Sequence, residues 1–381
     1  MNYRKTQLGC FTAYVVQAIV NNLTPLLFIT FRRELGLSLG LIGLLSALNF
    51  SVQMAIDFFS AVLGDKLSYR PLMITAHALA AAGLIGLSLF PRIMAPYAGI
   101  LLAVVLYAIG GGLLEVLVSP VLEALPLGDK ASAMSLLHSF YCWGQVGVVL
   151  LSTLFFYLAG TDNWALLPIL WAIVPLVNLC VFITAPLVRL EDNTPSMPRR
   201  DLLRRKEFWL FLGLMLCAGA SEMGMSQWAS AFAEEGLGVS KAVGDLLGPC
   251  MFAVLMGSAR VFFGSKGEKI NLRRFMSLCG ALCAFSYLLS ALSPLPFLAL
   301  MGCGLCGLAV GIMWPGTFSL AARILPAGGT AMFALLALGG DIGAVLGPSL
   351  VGAVGSMRLG LLLCVIFPAM LTVLSVKIKQ N

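Results

Sequence analysis

Charge is what this 381-residue chain has least of: 11% of its residues are Asp, Glu, Lys or Arg, where soluble domains carry about 25%. With 60% hydrophobic residues and a mean hydropathy of +0.97, too little polar surface remains to keep a folded chain in water, which excludes a soluble globular protein. Histidine is nearly missing. His77 and His138 are the only two, too few for the usual His/Cys metal spacings, so no metal and no cofactor are expected. No nucleophile elbow and no appended soluble domain are present, so the chain does not read as an enzyme. The glycine run Gly110, Gly111, Gly112 lies inside an apolar segment, away from any strand or P-loop pattern, and reads as close helix contact. Lys and Arg outnumber Asp and Glu by 24 to 17, but no basic tail or basic helix offers itself to a nucleic acid. The ten cysteines all fall in apolar runs, which excludes a loop-stapling disulfide framework. Even Cys303 and Cys306, a C-x-x-C pair, lack the strand-to-helix setting of a redox motif and read as small core residues.

What is present is a succession of apolar runs. At about 20 residues per membrane crossing, they give twelve spans, near 8–30, 38–63, 71–90, 98–125, 131–159, 164–187, 207–232, 241–263, 275–292, 296–324, 329–355 and 359–377. The fold class expected is an all-α polytopic membrane protein in a lipid bilayer. Arg4 and Lys5 precede the first run as in a signal peptide, but the run is long and another follows directly, so it reads as a retained helix.

Placing both ends in the cytosol puts eighteen Lys and Arg residues in cytosolic segments. Five, Arg32, Arg33, Arg92, Lys241 and Arg358, fall outside, and Arg260 lies within a span. That asymmetry obeys the positive-inside rule and fixes the orientation. The longest polar stretch, Val188 to Lys206, falls near the chain's midpoint and divides it into an N-terminal bundle (1–187), a linker (188–206) and a C-terminal bundle (207–381). A basic loop follows the second span of each half, LGDKLSYR from Leu63 to Arg70 and GSKGEKINLRR from Gly264 to Arg274. Two pseudo-symmetric six-helix bundles are therefore expected.

The stretch Ala61 to Arg70, AVLGDKLSYR, resembles the loop between helices two and three of the major facilitator superfamily. Leu63, Asp65, Lys66 and Arg70 match, while Ala61 and Ser68 stand in place of glycines. The resemblance implies a transporter whose two bundles surround a cavity open alternately to each side. It also implies a conformational latch. The loop aspartate, Asp65 here, would sit near the start of helix eleven, where the helix dipole favours a negative charge. The loop arginine, Arg70, would pair with an acid at the cytosolic end of helix four, Glu123. Helix five, HSFYCWGQVGVVLLS, has no Gly-Pro of the kind drug antiporters carry; the Gly-Pro lies on helix eleven, in GGDIGAVLGPSLVG. The segments YAIGGGLLEVLVSPVLEALP and LLHSFYCWG are similar to helices four and five of fucose-permease-like sugar symporters. There a helix-four acid, matched by Glu115, takes part in proton coupling. The acid on helix one of that group has no counterpart here, where Gln17, Asn21 and Asn22 stand.

Ionisable groups inside a bilayer cost at least about 2.5 kcal/mol each on insertion scales, so each invites a functional reading. Glu115, Glu222 and Asp341 fall near mid-span; Asp57 and Arg260 fall nearer the cytosolic ends of helices two and eight, Arg260 reading as structural. Spacings of three and four gather polar stripes: Tyr14, Gln17 and Asn21; Ser46, Asn49, Gln53 and Asp57; Tyr107, Gly111, Glu115 and Ser119; His138, Tyr141 and Gln145. Such stripes avoid lipid, so they line a cavity or glue helices together. The expectation is proton-coupled symport of a small polar neutral solute such as a sugar, by a monomer in a bacterial inner membrane. Glu115, with His138, Glu222 and Asp341, would carry protons. Gln17, Asn21, Tyr141, Gln145, Gln227, Trp228 and Trp314 would bind solute. Two alternatives stand beside it: export of organic cations in exchange for protons, suggested by three mid-membrane acids with no base at their depth, and a membrane-embedded sensor or enzyme.

Overall fold

The computed structural model describes residues 3–63, 69–126, 130–188, 199–266 and 270–378, and helix is the only regular structure among them. Twelve helices are long and apolar enough to cross a membrane: α1 (Arg4–Leu35), α2 (Leu39–Ser60), α3 (Tyr69–Ile93), α4 (Pro96–Glu123), α5 (Leu136–Ala159), α6 (Leu166–Thr184), α7 (Lys206–Gly236), α8 (Lys241–Gly264), α9 (Leu272–Leu292), α10 (Pro296–Ile324), α11 (Met332–Ala353) and α12 (Met357–Lys377). The protein is an integral membrane protein.

Local chemistry explains several boundaries. Prolines 96 and 296 open α4 and α10 at a first-turn position whose N–H would have no helical partner. Gly36, at φ +66°, ends α1 in the left-handed conformation that glycine adopts without strain. Pro25 tightens α1 into one 3₁₀ turn at Thr24–Leu27, because its ring nitrogen cannot donate to the preceding turn. The seventh span is interrupted comparably: an α-helix ends at Ser226, and a wide π-type turn follows at Phe232–Gly236.

The chain divides into two compact units, Met1–Ser38 with Leu48–Asp192, and Leu39–Ala47 with Asn193–Asn381. α2 is thus shared, its first nine residues belonging with the second unit. In the first unit α1 packs on α4 and α5, and α3 on α4 and α6; in the second, α7 packs on α10 and α11, and α9 on α10 and α12. The two units therefore repeat one packing scheme, as the paired basic loops foretell. Backbones meet closely where glycines allow it. A Cβ on Gly110 of α4 would lie 2.5 Å from the Ala76 carbonyl oxygen of α3, which only the missing side chain prevents.

His77 is one of the first unit's internal fastenings. Fully buried on α3, its Nδ1 lies 2.7 Å from the Met73 carbonyl oxygen and its Nε2 lies 2.8 Å from Asn178 Nδ2. Because the amide nitrogen must donate, Nε2 accepts and Nδ1 carries the proton to Met73. Asn178 also donates to the Gly9 carbonyl at 2.9 Å, so three helices share one polar knot.

Candidate functional site: an amide cluster around Glu115

The antiparallel pair α1 and α4 is joined by polar rungs at regular steps. Tyr14 and Ser119 hydroxyls lie 3.0 Å apart, Gln17 Nε2 donates to Glu115 Oε2 at 2.9 Å, and Thr24 and Tyr107 hydroxyls lie 2.8 Å apart. Helical periodicity sets these rungs, since each stripe advances by three or four residues along one face. The middle rung is the chemically richest. Gln17 Nε2 also donates to Gln53 Oε1 of α2 at 2.9 Å. Gln53 Nε2 donates to Asn21 Oδ1 at 2.8 Å, Asn49 Nδ2 donates to the same oxygen at 3.0 Å, and Asn21 Nδ2 reaches the Tyr141 hydroxyl of α5 at 3.5 Å. Five neutral groups from three helices are thus strung from the Glu115 carboxylate.

Burial differs sharply along this string. Gln17, Asn21, Asn49 and Gln53 are each 5% exposed or less, whereas Glu115 is exposed and Tyr141 half-buried. The Glu115 side chain, mid-span on α4, is thus exposed while the amides behind it are not. Two acceptors inside the cluster, Gln17 Oε1 and Asn49 Oδ1, are buried without a hydrogen-bond partner. A carboxylate oxygen of Asp57 lies within 4.8 Å of one on Glu115, a spacing at which two carboxylates repel each other or hold one cation between them. His138, exposed on α5, meets the Tyr14 ring edge-on at 5.4 Å between centroids. Gln145 is buried on α5.

In the second unit the expected site residues make the following contacts. Glu222 is 3% exposed and forms an ion pair with Arg260 at 3.7 Å. This corrects the expectation that no base lies at the depth of the mid-span acids: an acid and an arginine on neighbouring helices find each other where the dielectric is low. Trp228 is fully buried and its indole donates to the Pro348 carbonyl at 3.0 Å. Gln227 accepts from Ser46 at 2.8 Å, Ser46 lying in the α2 segment that belongs to this unit. Trp314 is half-buried, its ring against Gly340 and edge-on to Phe318 at 6.2 Å. Asp341 is half-buried on α11.

The latch expectation is altered in one part. Asp65 lies outside the described residues, and Glu123 is exposed. The Arg70 guanidinium goes not to Glu123 but to the end of α6, donating to the carbonyls of Phe182 at 3.1 Å, Ile183 at 2.5 Å and Ala185 at 2.8 Å. Those last-turn carbonyls have no helical donors and carry the negative end of the helix dipole, so they attract a cation as an acid would. Asn49 and Gln53 are the residues that sequence reasoning left out of the site. Their signal was the α2 stripe, which periodicity alone could not separate from helix glue.

Twelve helices in two alike units, with an acid held mid-span among amides, define a polytopic carrier-type membrane protein. The Major Facilitator Superfamily model matches residues 9–348, and the chain belongs to that family. A search of curated protein sequences found no match. Among solved structures, the E. coli fucose:proton symporter is similar at 17% identity and TM-score 0.67, each chain covered completely. A D-xylose-proton symporter is similar at 15% identity and TM-score 0.75, over 98% of this chain and 95% of that one. The nucleoside transporter NupG is similar at 13% identity and TM-score 0.78, over 98% of both.

Proposed function

We propose that this transporter couples inward movement of a small, neutral, hydroxyl-bearing solute to proton entry, with Glu115 as the proton carrier. The observation that carries this reading is the arrangement at α4: one exposed glutamate, hydrogen-bonded to a buried string of uncharged amides, with no base among its hydrogen-bond partners in the described residues. Amides and a phenol suit hydroxyl groups, each able to donate and accept. Gln17, Asn21, Tyr141 and Gln145 are the solute-binding candidates of the first unit, and Gln227, Trp228 and Trp314 those of the second. Asp341 and His138 are secondary proton candidates, and Asp65 with Arg70 the latch. The organic-cation reading loses weight because Glu222 is neutralised by Arg260. Two solved relatives are named as proton symporters of sugars, which accords with this choice. The charge asymmetry of the loops supports cytosolic ends in a bacterial inner membrane, and all the proposed roles lie within one chain, as a monomer requires.

The test is uptake into liposomes holding the purified protein, with L-fucose, D-xylose and uridine as probes and an imposed inward proton gradient. Gradient-driven accumulation of a sugar that disappears in Glu115→Gln, while sugar exchange without net proton movement persists, is the expected result. Accumulation unchanged in that variant removes Glu115 as the coupling group. An Asp341→Asn loss of binding much larger than that of Asn21→Ala turns the assignment to cations.

A further inference from the structure

Each member of the string between Glu115 and Tyr141 can exchange its roles. A primary amide turned half a revolution about its last bond fills the same volume with donor and acceptor swapped, and a phenol both donates and accepts. In the structure the string is polarised one way. Gln17 gives a proton to Glu115 and another to Gln53, Gln53 and Asn49 give to Asn21, and Asn21 gives to Tyr141. That polarity suits an ionised Glu115, which only accepts. A protonated Glu115 has a hydrogen to give, and the atom it needs is an acceptor on Gln17. One exists: Gln17 Oε1, buried and without a partner, held beside Gly111, where a Cβ would come within 2.9 Å of it.

Turning Gln17 to present that oxygen places it opposite Gln53 Oε1, so Gln53 must turn and donate its amide proton back to Gln17. Asn21 then turns and donates to Gln53, and its second amide proton meets Asn49. There the other orphaned acceptor, Asn49 Oδ1, becomes the acceptor it needs. The Asn21 oxygen now faces Tyr141, which donates to it. Five hydrogen bonds exist in the string before and five after, every one reversed; both orphaned oxygens are used, and the Gln17 and Asn49 amide nitrogens take the places those oxygens leave. The only proton taken up is the one on Glu115, which arrives from solvent at the exposed carboxyl and leaves the same way. Among the described residues of its own unit the titratable groups near Glu115 are Asp57, within 4.8 Å, and the Tyr14 and Tyr107 hydroxyls one rung away on either side, with His138 beyond Tyr14. None of these lies on the string itself.

We infer that Gln17, Gln53, Asn21 and Asn49 form a reversible hydrogen-bond relay that converts the protonation state of Glu115 into the donor or acceptor character of Tyr141. This inference rests on the reading of Glu115 as the proton carrier and supplies what that reading lacks, a route from proton to solute. A hydroxyl-bearing solute at Tyr141 would meet a group whose proton is directed outward in one state and consumed by the relay in the other. Gln17 and Gln53 are then positioning residues, acting on solute through Asn21 and Tyr141.

Infrared difference spectroscopy of the reconstituted full-length protein tests this with protons as the only probe. Acid-minus-neutral spectra should show a carboxylic C=O band, assigned by its loss in Glu115→Gln. At the same midpoint the phenol C–O band should shift, assigned by ring-labelled tyrosine and its loss in Tyr141→Phe. In Gln53→Met, the carboxyl band should still titrate while the Tyr141 band no longer moves; Gln17→Met breaks the string one link earlier and serves if Gln53→Met fails to fold. A titrating carboxyl with a stationary Tyr141 band in wild type overturns the relay alone. A Tyr141 band that still shifts in a folded Gln53→Met or Gln17→Met protein also overturns it, because the field of the charge would then act directly through space. A Glu115 band that never titrates overturns both the relay and the proton assignment.

Discussion

Glu222 and Arg260 pose a question that stability can answer: structural pair or proton carrier. Their charged atoms are 3.7 Å apart, with the Glu222 side chain 4% and the Arg260 side chain 20% exposed. At an effective dielectric of about 20, that separation gives an attraction of about 4.5 kcal/mol, which the exposed fifth of Arg260 lowers through solvent screening. Glu222→Leu leaves a guanidinium inside the bundle without its carboxylate, and Arg260→Leu leaves a carboxylate whose other oxygen already lacks a partner. Each single change should cost about 2–4 kcal/mol. Changing both to leucine removes attraction and desolvation together, so the double variant should lie within about 1 kcal/mol of wild type. The two losses should therefore be strongly non-additive. Thermal and chemical unfolding of the detergent-purified protein gives the four corners of the cycle. Single variants costing under about 1 kcal/mol, or a double variant as unstable as the sum of the two, would show that the pair does not hold the fold. A folded double variant that cannot accumulate solute against its gradient would return Glu222 to the proton pathway.

Three further outcomes follow from other contacts. Glu115→Gln should fold normally and lose gradient-driven accumulation; at one proton per solute and about 100 mV, the driving force is about 2.3 kcal/mol, so roughly a fifty-fold concentration ratio should fall to one in a liposome uptake assay. Gly343→Val should lower the thermal midpoint markedly, since a Cβ there would lie 2.7 Å from the Ala220 nitrogen and helix backbones cannot yield cheaply, with a cost of about 1–3 kcal/mol or more. Asn178→Leu should cost about 1–3 kcal/mol in unfolding experiments by stranding His77 Nε2 and the Gly9 carbonyl, yet leave sugar exchange intact, because this knot lies apart from the amide cluster.

The helices were easy to read because membrane insertion demands long apolar runs, and the span count needed nothing else. Their ends were harder: α1 runs from Arg4 to Leu35, beyond the apolar stretch, because backbone hydrogen bonding continues where hydropathy stops. The polar stripes were legible as faces, since spacing fixes what shares a side. What spacing cannot give is the partner across the gap. Gln53 and Ser46 sit on one stripe, yet Gln53 joins the cluster at Glu115 and Ser46 bonds Gln227. Likewise Arg260 could be recognised as a lone base in a span, but its distance from Glu222 depends on how α7 and α8 pack. Arg70 was matched to an acid by family resemblance, and the α6 carbonyls it reaches carry no mark in the sequence, being backbone.

Nine of the ten cysteines are buried, and the tenth, Cys180, is exposed on α6 along the same stripe as Ile173, Leu176, Val177 and Ile183, an apolar face suited to lipid. A charged thiol reagent in water enters neither the packed interior nor hydrocarbon, so the native protein should be nearly silent toward it. A single cysteine introduced at the position of Ser119, beside the exposed carboxyl, would then stand out against that silence. Its labelling rate from each face of a sealed vesicle would report, in the otherwise unaltered chain, which compartment the site communicates with at that moment.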